Sequence, residues 1–63
     1  MNAPADLRHQ AMIAARYLEH LTRSLRAQEN SARRHSDPDA AHSAAVWAER
    51  AQELRRYITD NHT

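Results

Sequence analysis

Apolar residues recur along the first half of the chain with spacings that alternate between four and three residues. This first ladder consists of Leu7, Ala11, Ala14, Leu18, Leu21, Leu25, Gln28 and Ala32, with one polar member near its end. A period of 3.5 residues held over four heptads is typical of a helix that packs along one seam. The pattern predicts a first helix over about residues 4–33, beginning near Pro4 because proline is tolerated in the first helical turn.

A second ladder with the same alternation occupies the second half of the chain. It consists of Ala40, Ala44, Trp47, Ala51, Leu54 and Ile58. This ladder predicts a second helix over about residues 38–60. Trp47 holds a seam position, so we expect it to be a core residue first of all. Ala41, Ala45 and Ala48 widen the apolar face of this helix.

The segment between the ladders carries a strong signal for the start of a helix. In one interpretation Asp37 is the N-cap and Pro38 is the first helical residue; in the other Ser36 is the N-cap and Asp39 completes a capping box. Both begin the second helix within a residue of position 37 and leave a turn over residues 34–37. The chain has no glycine, so a serine, histidine or asparagine in or near the turn must supply any left-handed backbone angle.

These elements predict an all-α, antiparallel two-helix hairpin that forms a single domain over residues 1–63. Residues 1–34 hold six arginines against three acids, and residues 35–63 hold three arginines against five acids, which favours antiparallel packing. Large apolar side chains are few and cysteine is absent, so a stable isolated hairpin of this size is not expected. We therefore expect two copies to dimerise into a four-helix bundle, with docking on another protein as the alternative.

Several apolar side chains fit neither ladder. A lone hairpin would expose them, so they indicate a second apolar face, used either by a symmetric dimer or by a different protein; scattered exposure without meaning is the third interpretation. Together with the aromatic residues of the second helix, they give a predicted partner or dimer interface of Met12, Ile13, Tyr17, Val46, Trp47 and Tyr57. The favoured function is a small protein–protein interaction module (an adaptor, an inhibitor or a chaperone-like protein) that acts through an apolar helical face.

A strip of arginines along the first helix supports an alternative function, an RNA- or DNA-binding dimeric hairpin. Its predicted contact residues are Arg16, Arg23, Arg26, Arg33 and Arg34. Glu19 and Glu29 interrupt the strip and the net charge is only +1. The length and layout are similar to those of plasmid Rop-type RNA-binding hairpins, which dimerise into four-helix bundles, and to small helical-hairpin co-chaperones of bacterial secretion systems. Both likenesses concern architecture alone.

No pattern in the chain is typical of catalysis, of a cofactor or of a metal site. The serines lack a glycine elbow, and no two of the five histidines stand three or four residues apart, as zinc ligands on one helix do. We therefore expect a non-enzymatic protein without cofactor or metal. No apolar run is long enough for a membrane span and no secretion signal is visible, so we expect a cytoplasmic protein. All nine basic residues are arginine, which together with abundant alanine suggests a GC-rich bacterial or phage gene.

Overall fold

The computed structural model describes the backbone of residues 3–62 and the side chains of residues 7–61. Two helices form this part of the chain, α1 over Ala3–Arg34 and α2 over Pro38–His62. The predicted all-helical class with two helices is confirmed. The helices extend slightly beyond the predicted limits of 4–33 and 38–60.

The two helices pack side by side and run in opposite directions. Near the open end, Met12 of α1 lines a groove together with Thr59 of α2, and nearer the turn Leu25 lines a groove together with Trp47. The hairpin measures 54 × 14 × 12 Å, and its radius of gyration is 14.9 Å, whereas a compact domain of this length has about 11 Å. Over residues 3–62 the structure is therefore a single pair of helices with no further layer over either face.

The turn closes α1 with a Schellman motif. The N–H of Ser36 donates to the carbonyl of Arg33 at 3.1 Å, and the N–H of Asp37 donates to the carbonyl of Ala32 at 2.9 Å. Ser36 takes the left-handed angle that the motif requires, with φ of 56°. The Asp37 carboxylate accepts the N–H of Ala40 at 3.1 Å, so Asp37 is the N-cap of α2 and Pro38 its first residue.

From the geometry of the turn we expect substitutions at Ser36 and Asp37 to have opposite effects on stability. Ser36→Gly removes the steric cost of a left-handed angle and is expected to stabilise the fold by about 0.5–1 kcal/mol. Asp37→Ala removes the N-cap bond and is expected to cost about 1 kcal/mol. Urea unfolding followed by circular dichroism at one chain concentration measures both. A destabilising Ser36→Gly would contradict this account of the turn.

The buried seam of α2 is a ladder of alanines. Ala48 is fully buried, and the three others have at most 7% of their surface exposed: Ala41, Ala44 and Ala51. The predicted ladder is wrong at three of its positions, because Ala40, Trp47 and Leu54 are exposed. Trp47 in particular is not a core residue, since 59% of its surface is exposed.

The seam of α1 keeps Ala11, Leu18, Leu25 and Ala32 of the predicted ladder and departs from it at other positions. Seven positions with alternating spacings of four and three are buried or half-buried: Ala11, Ala15, Leu18, Thr22, Leu25, Glu29 and Ala32. Leu7 and Gln28 of the predicted ladder are exposed. Small side chains on α2 let two helix axes approach to about 8 Å. An indole at the centre of that contact would hold the axes apart, so the alanines take the seam and the larger side chains lie at its edge.

Candidate interaction surfaces

The larger apolar side chains of both helices meet on one side of the hairpin. They form a shallow groove, here called the leucine–tryptophan face, lined by Leu18, Leu21, Leu25, Trp47, Ala51 and Leu54, with Arg50 at its rim. The three leucines are half-buried, and Leu54 is 50% exposed. The alanine seam produces this face, because it fixes the helices while leaving the leucines and the indole at the edge of the contact.

Arg50 and Trp47 form a pair at the rim of this face. The guanidinium carbon of Arg50 lies 5.9 Å from the centroid of the Trp47 ring, within the range of a cation–π contact. This contact holds a cation over one side of the indole. The rest of the ring stays accessible.

The opposite side of the hairpin is charged. One groove there is lined by Arg26, Glu49, Gln52, Glu53 and Arg56. Nearer the open end, a second groove has both charged and apolar walls: it is lined by Arg8, Ala11, Met12, Ala15, Arg16, Glu19, Arg55 and Thr59. The hairpin therefore has one apolar side and one side on which both signs of charge are mixed.

Three of the five arginines predicted to contact nucleic acid are ion-paired within α1. Arg23 Nη2 lies 3.1 Å from Glu19 Oε1. The buried carboxylate of Glu29 accepts Arg26 Nη1 at 3.0 Å and Arg33 Nη2 at 2.5 Å. Arg16 and Arg34 are exposed. Nucleic-acid binding stays a prediction from the sequence, and the pairing lowers the positive charge that the strip presents to a phosphate backbone.

The six residues of the predicted interface do not form one surface. Trp47 lines the leucine–tryptophan face, whereas Met12 and Ile13 line a separate shallow groove on α1 with His9 and Arg16.

The remaining three predicted interface residues lie elsewhere on the two helices. Tyr17 and Tyr57 are each 66% exposed, and Val46 is half-buried. Tyr17 stands four residues before Leu21, so it borders the leucine–tryptophan face along α1.

Sequence reasoning missed this face, because it assigned all four leucines to the seam alone. Leu18 and Leu25 do belong to the observed seam but also line the face, whereas Leu54 is exposed. The spacing of Ala41, Ala44, Ala48 and Ala51 is the signal that identifies the alternative. These four alanines form an alternative heptad ladder on the second helix, which shares Ala44 and Ala51 with the predicted one.

The described side chains give no sign of a chemical centre. Among residues 7–61, no three histidine, aspartate or glutamate side chains are grouped as metal ligands, and no buried side-chain polar atom lacks a hydrogen-bond partner. Neither helix, over the residues that the structure describes, combines the length and apolarity that a membrane crossing needs. Comparisons with protein-family models, with curated proteins and with solved structures found no match to this chain.

Proposed function

We propose that this chain is a protein–protein interaction module whose leucine–tryptophan face is covered by another polypeptide. The observation that carries the proposal is a tryptophan, 59% exposed, that lines a preformed apolar groove. Tryptophan and arginine are enriched among the residues that dominate binding energy at interfaces, and this face offers the two in contact.

The exposed area of the chain supports this function. The accessible surface is 5164 Å², whereas a globular monomer of 7.2 kDa exposes about 4,100 Å². The excess of roughly 1,000 Å² is similar to the ~800 Å² that each partner buries in an interface of standard size. Covering one side of the hairpin would bring the area to the value expected for a folded protein of this mass.

A second copy of the chain is the occupant that we propose. The face occupies residues 18–25 of α1 and 47–54 of α2, in the middle of both helices, so two copies can overlie along most of their length. The same apolar patch on both chains is what a two-fold symmetric interface requires. The product is a four-helix bundle with the mixed charges outside.

Sedimentation equilibrium tests this proposal directly. We expect twice the monomer mass, and a melting temperature that rises with chain concentration because folding and association are linked. A folded chain that sediments as a monomer at all concentrations, with a constant melting temperature, would contradict pairing. In that case we would assign the leucine–tryptophan face to binding of a different protein.

A further inference from the structure

Arg50 marks the centre of the leucine–tryptophan face along α2. It lies between Trp47 and Leu54, the two large side chains that α2 contributes, and it stands at the rim of the groove. Its contact with the Trp47 ring keeps the guanidinium at this rim. Whatever covers the face must therefore accommodate one positive charge at a defined position on α2.

Two symmetric arrangements would bury this face against a second copy. The choice between them rests on the proposed function above, in which a second copy covers the face. With the turns at opposite ends, α1 lies along α1 of the second chain and α2 lies along α2. With the turns at the same end, α1 of each chain lies along α2 of the other. Both make neighbouring helices antiparallel, so helix packing alone does not distinguish them.

The arrangement with turns at opposite ends brings like charges together. The two-fold axis would cross α2 near the middle of the face, which places Arg50 beside its own copy in the second chain. Like charges in contact across an interface are unfavourable, and the two Arg50 side chains would form such a contact. The same arrangement sets α1 beside α1, so the adjoining helices come from halves with the same sign of net charge, each with six arginines and three acids.

The arrangement with turns at the same end removes both conflicts. Each basic α1 then lies against an acidic α2, since residues 35–63 carry five acids against three arginines. Ser24 occupies on α1 the position that Arg50 occupies on α2: each stands three residues beyond a face residue, Leu21 or Trp47, and each is exposed. The serine hydroxyl is an uncharged group that can accept a hydrogen bond from the guanidinium.

We infer that the two copies pair with their turns at the same end, so that Ser24 of each chain lies near Arg50 of the other. The natural chain has no cysteine, which allows a clean crosslinking test. Ser24→Cys and Arg50→Cys chains, purified separately, are mixed in equal amounts and treated with a short bis-maleimide crosslinker. Both positions are exposed, so both variants are expected to keep the helical signal of the unmodified chain.

The expected result is a crosslinked dimer that contains one chain of each kind, identified by mass spectrometry, and little product from either variant alone. Self-crosslinking of the Ser24→Cys variant, which keeps Arg50, would show turns at opposite ends and overturn the arrangement. Absence of the mixed product in a sample that sediments as a dimer would overturn it too. Sedimentation as a monomer before crosslinking would instead overturn the pairing itself, so the two failures are distinguishable.

Discussion

Trp47→Asp is expected to separate the proposed dimer into monomers, and Tyr57→Asp is expected to weaken it far less. Both aromatic residues lie on α2 and both are largely exposed in the single chain, at 59% and 66%. They differ in position, because Trp47 lines the leucine–tryptophan face whereas Tyr57 is not among the residues that line it. A view of the protein as a lone hairpin predicts the same small effect for both changes.

The expected size of the effect follows from what the indole contributes at an interface. Truncation of a tryptophan that dominates an interface typically costs at least about 2 kcal/mol, which corresponds to at least a ~30-fold increase in the dissociation constant. A buried carboxylate adds a desolvation cost to that loss. Each dimer contains two such sites, so the measured weakening should be larger than for one substitution alone.

Sedimentation velocity over a range of concentrations measures this difference. Helical signal should fall together with association in Trp47→Asp, since the thin alanine seam is left without cover. Equal dissociation constants for the Trp47→Asp and Tyr57→Asp chains would show that the face plays no part in pairing. A weakened Tyr57→Asp chain with an unaffected Trp47→Asp chain would place the interface nearer the end of α2, beyond the leucine–tryptophan face.

The helices and the turn could be predicted because their signals are local. The N-cap of α2 is determined by one carboxylate and the proline that follows it, and both are visible in four residues of sequence. The left-handed residue was limited to a few candidates by the absence of glycine, and Ser36 is the one that adopts the angle. Such features depend on neighbours along the chain and not on tertiary packing.

The seam could not be predicted in the same way, because periodicity does not choose between two ladders that share members. Ala44 and Ala51 belong both to the predicted ladder through Trp47 and to the observed ladder through Ala48. Burying the ladder through Trp47 would cover more apolar surface per residue. Burying the ladder through Ala48 lets the helices approach closely and leaves the large side chains free for a second contact. Only the packing of the two helices decides which ladder is buried, and the buried ladder in turn determines which residues form the candidate site.

Ala48→Leu is expected to destabilise the fold strongly, and Ala40→Leu is its matched control. The substitution is chemically identical at both positions and lies on the same helix, so helix propensity contributes almost equally to both. Ala48 is fully buried in the alanine seam, whereas Ala40 is exposed. Adding a larger side chain to a close-packed contact costs about 1–3 kcal/mol, and each kcal/mol lowers the melting temperature of a domain this small by about 4–8 °C.

The same pair of variants tests which ladder forms the seam. If the ladder through Ala40 and Trp47 were buried instead, Ala48→Leu would be tolerated at the flank and Ala40→Leu would be the variant that perturbs packing. Thermal unfolding at one fixed chain concentration, repeated at tenfold dilution, separates loss of the hairpin from loss of the dimer. A loss of stability that persists in the dilute sample locates the damage within the hairpin, where the alanine ladder is the part of α2 in contact with α1.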